Sequence, residues 1–178
     1  MRKIVVTEFL SLDGVMENPA WTAPFWNDDI AKFKSEESYA TDALLLGRVT
    51  YQGFAAAWPE SEDEGADRMN NLRKYVVSTT LETLEWNNSH LIQGDILEGI
   101  TQLKQQDGQN LLVYGSGELS QWLLEENLVD QYNLLIYPVV VGTGKRLFKD
   151  EGHPAQLKLI DSSNSQGVAM LRYAVDRG

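Results

Sequence analysis

The chain has no cysteine and only two histidines, His90 and His153. Without cysteine, neither a disulfide framework nor a thiolate metal site can form. Two imidazoles are too few for an ordinary transition-metal centre. We therefore predict no metal site.

Long apolar runs and a positive charge balance are also missing. No stretch reaches the roughly 20 apolar residues of a membrane span, and Glu8 and Asp13 interrupt the N-terminal apolar run before a signal-peptide core develops. The 26 acidic residues outnumber the 15 basic ones, and the formal net charge of -11 repels phosphate backbones and anionic lipid. We expect a cytoplasmic protein that binds neither nucleic acid nor membrane.

Hydrophobic residues make up 43% of the 178 residues, which is enough for one buried core. This content and length predict a single domain over residues 1–178. Apolar runs alternate with helical patterns, which is typical of an α/β protein. Four short runs are predicted as buried strands: Ile4 to Leu10, Ala43 to Leu46, Tyr75 to Val77, and Leu111 to Tyr114.

Four helices are predicted between and after these strands. They are one capped by Asn27, one beginning at Thr50, one over Asp95 to Gln106 with Asp95 and Glu98 at capping-box spacing, and one carrying Leu119, Trp122 and Leu123. The polar stretch Glu60 to Arg68 is interpreted as a surface loop entering a helix.

The last third of the chain has a different pattern. Gln131 to Val141 is a long strand-like run, and Leu157 to Ile160 and Val168 to Val175 flank the turn-rich segment Asp161 to Gly167. This pattern predicts a C-terminal antiparallel hairpin beside a mostly parallel sheet.

Gly115, Ser116 and Gly117 lie between a predicted strand and a predicted amphipathic helix, in the segment LLVYGSGELSQWLL. Glycines at a helix N-terminus let backbone N–H groups approach a phosphate, and the helix dipole favours an anion there. The alternative is a tight strand-to-helix corner with no ligand.

Two further strand ends carry residues suited to phosphate. Gly47, Arg48 and Thr50 follow the second predicted strand, with Thr50 as a possible helix cap, and Ser78 and Thr79 follow the third. The alternative is an ordinary capped turn with a solvent-facing arginine. Three such strand ends together favour a nucleotide site at the carboxyl edge of an open sheet.

The motifs SLDGVM, LLLGRVTY, YVVSTT, LLVYGSGELSQWLL and YPVVVGTGKRLF resemble the dihydrofolate-reductase-like superfamily. The nearest branch is the one related to the C-terminal reductase domain of the riboflavin-biosynthesis deaminase/reductase (RibD C-terminal domain-like). The resemblance implies a three-layer sandwich with helices on both faces of the sheet. It also implies NADPH as cofactor, with Arg48 at its 2'-phosphate, and a cis peptide bond between Gly115 and Ser116. The implied cofactor residues are Gly47, Arg48, Thr50, Ser78, Thr79, Gly115, Ser116, Gly117 and Glu118.

On the substrate side, the same resemblance makes Asp29 and Asp13 the candidate catalytic carboxylates, and Trp26 and Phe33 the candidate substrate contacts. Asp29, in an apolar cleft, would have a raised pKa and relay a proton. The alternatives are that Asp13 and Gly14 simply form a turn and that Asp29 simply lies at a helix N-terminus.

Two departures bear on the substrate. Riboflavin-pathway reductases carry a lysine where this chain has Thr7, and a DNPxL stretch where it has YQGFAAAWPE. We therefore expect an NADPH-dependent reductase of a pteridine-like or pyrimidine-like molecule. The alternative is a non-catalytic NADP(H)-binding protein or ligand sensor. The resemblance and the long run Tyr132 to Val141, unusual as an exposed edge, predict a homodimer.

Overall fold

One eight-stranded sheet organises the molecule, in the spatial order β4-β3-β2-β5-β1-β6-β8-β7. The computed structural model describes residues 1–178. The strands are β1 (Ile4–Ser11), β2 (Thr41–Gly47), β3 (Arg73–Val77), β4 (Ser89–Ile92), β5 (Asn110–Tyr114), β6 (Gln131–Tyr137), β7 (Gln156–Ser165) and β8 (Val168–Asp176). The first six are mutually parallel, and β8 and β7 are antiparallel, as predicted.

Helices cover both faces of the sheet. They are α1 (Asp28–Tyr39), α2 (Arg48–Ala57), α3 (Ala66–Asn71), α4 (Ile96–Gln105) and α5 (Gly117–Glu125), with a 3-10 helix at Pro19–Phe25. Alternate residues of β1 point to opposite faces. Val6 packs with Ile100 of α4 and Leu123 of α5 on one face, and Val5 packs with Tyr51 of α2 on the other. The result is the predicted three-layer arrangement.

The long strand expected over 131–141 ends earlier, at Tyr137. Pro138 has no N–H for a ladder, and the following segment instead donates backbone N–H groups to Asp13. β6 also lies between β1 and β8, so it is not an edge. The homodimer stays a prediction, and the edge-strand argument for it now applies to β7, where Leu159 and Ile160 are exposed.

Two other strand predictions were incomplete. β7 continues through Ser165 because its polar residues pair with β8, leaving only Gln166 and Gly167, both with positive φ, for the turn. β4 was missed because its four residues, SHLI, are partly polar and mostly accessible.

No helix is both long enough and apolar enough to span a bilayer.

Candidate functional site

The candidate site lies at the carboxyl edge of the parallel strands. β3, β2 and β5 are neighbours in the sheet, so the turns that follow Val77, Gly47 and Tyr114 meet at one edge. α2 and α5 begin there and pack against opposite faces of the sheet. The topology therefore brings together the three motifs that the sequence singled out.

Two hydroxyl groups join the turn after β2 to the turn after β5. The backbone N–H of Gly47 donates to Ser116 Oγ at 3.0 Å, and the N–H of Ser116 donates to Thr50 Oγ1 at 2.9 Å. The prediction that Thr50 begins or caps α2 is wrong: the helix begins at Arg48, after Gly47. Its hydroxyl instead accepts a bond from a residue 66 positions away.

The glycine turn has a different backbone from the one implied by the resemblance. All peptide bonds are trans, including that between Gly115 and Ser116. The chain turns through two successive left-handed residues, with φ of 53° at both Gly115 and Ser116. A Cβ on Gly115 would lie 3.0 Å from Thr50 Oγ1, so glycine is required by both its φ and its close neighbour.

Donors suited to a dinucleotide remain after these internal bonds are counted. α1 and α4 have side-chain caps from Asn27 and Asp95, whereas neither α2 nor α5 has one. The first-turn N–H groups of a helix have no intrahelical acceptor. Arg48 is exposed, forms no ion pair and contacts only Gln52 Oε1, at 3.1 Å. Uncapped N–H groups and a free guanidinium are the donor set that phosphate groups require, so these residues fit NADPH.

The other predicted cofactor residues occupy the same edge with different environments. Ser78 Oγ accepts bonds from Thr80 N and Leu81 N within its own turn, while Thr79 is exposed. Glu118 is exposed in the first turn of α5. Their roles toward a cofactor stay predictions.

Asp13 anchors the segment after β6. Its carboxylate accepts bonds from Ser11 Oγ at 2.6 Å, from Val141 N at 3.1 Å and from Gly142 N at 2.8 Å. The Ser11 bond, followed by the two backbone bonds, lowers the pKa of Asp13 to about 2. An ionised carboxylate with these bonds favours the turn interpretation over proton transfer.

Met16, in the loop after β1, lies over the glycine turn. A Cβ on Gly117 would lie 3.0 Å from Met16 Sδ, so the loop packs directly on the start of α5. The resemblance gave this loop a role only on the substrate side, through Asp13. The structure adds that a flexible thioether touches the turn itself.

Asp29 does not lie in an apolar cleft. It is exposed in the first turn of α1, and its Oδ2 accepts a 2.6 Å bond from Ser165 Oγ at the end of β7. Phe33 is buried against Leu135 and Met170 in the core. Trp26 is 56% exposed just before α1. Asp29 and Trp26 therefore lie at the same edge of the sheet. Phe33 lies on the buried face of α1 and packs against the sheet.

The residue that sequence reasoning missed is Lys34. Its ammonium donates to Thr7 Oγ1 at 2.9 Å and forms an ion pair with Glu37, whose other oxygen accepts from Asn133 Nδ2 at 2.7 Å. Positions 30, 33, 34 and 37 form one helical stripe facing the sheet. A Lys and a Glu inside an otherwise apolar stripe were the available signal.

Glu8 is a second buried ionisable residue near this edge. It is 6% exposed, and its Oε1 has no hydrogen-bond partner. Burial raises the pKa of Glu8 well above its ordinary value, with Lys34 acting to lower it and Glu37 to raise it. Glu8 therefore stays protonated at pH values where exposed glutamates are ionised.

Two open cavities, of about 190 Å³ and 520 Å³, lie away from the carboxyl edge. Three of their four arginines bond to carboxylates or backbone carbonyls: Arg172 to Glu36 and Asp161, Arg2 to Asp42, and Arg68 to Ser38 and Thr41. The fourth, Arg73, donates to the Tyr75 hydroxyl at 3.3 Å. Neither cavity is lined by the first turn of α2 or of α5, where Arg48 and the uncapped N–H groups of the candidate site lie.

Comparison with known proteins places the chain in a family. A profile of the RibD C-terminal domain matches residues 2–170. The chain is 28% identical over 178 residues to the uncharacterized protein YyaP of Bacillus subtilis strain 168, covering 97% of this chain and 94% of that one. It is 24% identical over 179 residues to the uncharacterized protein YwjB of the same organism, covering 97% of each.

Solved structures share the fold. A protein named for riboflavin biosynthesis from Shewanella sp. PV-4 superimposes with a TM-score of 0.74 at 19% identity, covering 98% of this chain and 99% of that one. A pyrimidine reductase-like protein from Corynebacterium diphtheriae gives 0.72 at 14% identity, covering 99% and 93%. The diaminohydroxyphosphoribosylaminopyrimidine deaminase/5-amino-6-(5-phosphoribosylamino)uracil reductase of Thermotoga maritima gives 0.69 at 16% identity, covering 98% of this chain and 57% of that one.

These likenesses confirm the dihydrofolate-reductase-like fold that the motifs implied. Since the profile match spans nearly the whole sequence, the chain belongs to the RibD C-terminal domain family, a family of reductase domains.

Proposed function

We propose that this protein is an NADPH-dependent reductase of a flat pyrimidine-like or pteridine-like small molecule. Membership of a reductase family supports the reaction class. The Corynebacterium and Thermotoga neighbours, which carry pyrimidine and uracil reductase names, support the substrate class.

The observation that carries the cofactor assignment is the junction of the two turns. Thr50 and Ser116 join the N-terminus of α2 to that of α5, and both helices lack side-chain caps. One dinucleotide could therefore contact both helix N-termini through its phosphates. Arg48, with no acidic partner, would pair with the 2'-phosphate that distinguishes NADPH from NADH.

When bound, NADPH supplies a hydride, and the protein supplies binding and orientation. Arg48 and the first turns of α2 and α5 would hold the phosphates. Met16, already in contact with Gly117, would cover the cofactor and exclude water from the edge.

Titration of tryptophan fluorescence with NADPH and NADH tests the cofactor assignment. Arg48→Ala is expected to weaken NADPH about tenfold or more, because a charge-assisted bond is lost, and to leave NADH nearly unchanged. Arg73→Ala is a matched control, because that exposed guanidinium contacts only the Tyr75 hydroxyl, at the start of β3. Equal weakening of both nucleotides by Arg48→Ala, or none, contradicts the assignment.

Turnover is tested separately by the loss of NADPH absorbance with a panel of pterins, dihydrofolate and pyrimidines. Oxidation with any member supports the reductase. Fluorescence quenching by NADPH without oxidation across the panel supports the second candidate, a non-catalytic NADP(H)-binding protein or ligand sensor. One observation favours that candidate: the carboxylates of Asp13 and Asp29 are both bonded to structural partners.

A further inference from the structure

β7 is a long and unprotected edge of the sheet. Its ten residues, Gln156–Ser165, pair with β8 on one side only, so their outward backbone N–H and C=O groups have no strand partner. Natural proteins keep such edges short or place proline in them, because an open edge pairs with other chains. The opposite edge, β4, has only four residues. β7 is the longest strand of the sheet and contains no proline.

Two apolar side chains lie exposed in the middle of this edge. Leu159 is 49% exposed and Ile160 is 54% exposed. They lie at a bulge: Leu159 pairs with Tyr173, and Asp161 pairs with the preceding residue of β8, Arg172, which leaves Ile160 unpaired. Exposed apolar residues on an open edge favour association with another strand.

The bulge also brings two opposite charges to one face of the strand. Lys158 pairs with Ala174 of β8, and Asp161 pairs with Arg172. Ala174 and Arg172 are two residues apart, so they point to the same side of the sheet. Their partners Lys158 and Asp161 therefore share a face, although they are three residues apart in β7. Without the extra residue they would point to opposite faces.

β7 is consequently complementary to a second copy of itself. In an antiparallel pair whose twofold axis passes between Leu159 and Ile160, each Lys158 lies directly opposite Asp161 of the partner subunit. The same register sets each Leu159 opposite Ile160 of the partner subunit. Apolar side chains then meet at the centre of the pair, with an unlike charge pair on each side of the axis.

Both charges are available for this contact. Lys158 is exposed and forms no ion pair within its own chain. Asp161 accepts a 3.0 Å bond from Arg172 on one oxygen, and its side chain is still 49% exposed. Opposite charges directly across two strands attract, whereas like charges there repel. The two unlike pairs therefore specify both the antiparallel direction and the register.

We propose that two copies of this chain pair antiparallel through their β7 edges, with Lys158 opposite Asp161 of the partner subunit. The contact is isologous, because the same residues of both copies form it, and it closes both edges at once. One continuous sheet then runs through the two copies. The inference gives the predicted homodimer a surface and a register, and it depends on no residue of the candidate cofactor site.

Sedimentation equilibrium of the full chain is the first test. Wild type is expected to sediment with twice the 20.0 kDa mass of one chain. Leu159→Lys sets a lysine at the centre of the pair in both copies and is expected to weaken the dimer about tenfold or more.

Charge reversal tests the pairing itself. Lys158→Glu and Asp161→Lys each create two pairs of like charges, and each alone is expected to weaken the dimer about tenfold or more. An equimolar mixture of the two variants restores both unlike pairs in a heterodimer and is expected to dimerise nearly as tightly as wild type. Lys3→Glu makes the same charge change as Lys158→Glu at an exposed residue just before β1, and it is expected to behave as wild type.

The register is tested independently by oxidative cross-linking, since the chain has no cysteine of its own. An equimolar mixture of Lys158→Cys and Asp161→Cys is expected to form a disulfide-linked dimer, because directly opposite residues have Cβ atoms about 4.5–5.5 Å apart. Ser163 lies two residues further along the same face. Lys158→Cys mixed with Ser163→Cys is therefore expected to cross-link about tenfold more slowly.

The inference is overturned if wild type stays at the mass of one chain up to about 100 μM, or sediments with a mass above that of a dimer. It is also overturned if the folded charge variants dimerise as tightly as wild type, if their mixture does not dimerise, or if the two cysteine mixtures cross-link equally fast. Circular dichroism spectra and melting temperatures show which variants are folded. The cysteine mixtures decide the question if a charge variant does not fold.

Discussion

At the scale of single residues, hydroxyl and carboxylate side chains hold the loops of the candidate site in place. Thr50 and Ser116 bond to backbone N–H groups across two turns, and Asp13 does the same between the loop after β1 and the segment after β6. Each contact joins residues at least 66 positions apart. These side chains shape the site without needing to touch a ligand.

Thr50→Val should destabilise the site while nearly preserving side-chain shape. It removes the acceptor for the N–H of Ser116 and leaves that half-buried donor unpaired, at an expected cost of about 1–3 kcal/mol in the free energy of unfolding. NADPH affinity should fall with it, because one of the two hydrogen bonds that join the helix N-termini is lost. Urea unfolding and fluorescence titration measure both effects. Thr50→Ser, which keeps the hydroxyl, should lie near wild type, and a stable Thr50→Val variant would refute the role of this bond.

The lowered pKa of Asp13 predicts that the stability of the fold depends on pH. Its folded-state pKa of about 2 lies below the ordinary value of 3.8, so the ionised form is favoured by folding. The stabilisation is fully present above about pH 4 and is lost as the pH falls toward 2. The difference in the free energy of unfolding between wild type and Asp13→Asn should therefore be constant from pH 7 to about pH 4.5 and shrink below pH 4. A difference that does not change with pH would show that the carboxylate charge contributes nothing.

At the scale of elements, local signals specified the ends of some helices. Asp95 caps α4 by accepting from Glu98 N at 3.0 Å, and Asn27 caps α1 by accepting from Asp29 N and Ile30 N. Both caps were predicted because the capping bond closes within three residues. The start of α2 was missed because the Thr50 hydroxyl bonds to a distant residue instead.

Replacing the cap of α1 tests the weight of this local signal. Asn27→Ala removes the acceptor for two first-turn N–H groups and should lower the free energy of unfolding by about 1 kcal/mol. Asn27→Asp keeps a capping oxygen and should lose much less. Urea denaturation of the three proteins gives the comparison. Equal losses in both variants would point to the Asn27 Nδ2 contact with Phe25 O rather than the cap.

At the scale of the whole molecule, the net charge of -11 opposes the compact state through self-repulsion. Screening weakens as salt is removed, with a Debye length of about 30 Å at 0.01 M and about 8 Å at 0.15 M. The midpoint of urea unfolding should therefore rise between 0.01 M and 0.15 M sodium chloride, with an unchanged m-value. A falling midpoint would mean that favourable ion pairs outweigh the repulsion.

The sequence by itself determined the α/β class, the buried strands and the three strand ends that form the candidate site. These follow from local properties: apolar runs, capping residues and glycines that need particular backbone angles. Only the tertiary structure decided that Thr50 bonds to Ser116, that Asp13 anchors a distant segment, that β6 is internal, and that Lys34 lies beside Tyr114. Each of these depends on the order of strands in the sheet, and neither periodicity nor spacing along the chain carries that information.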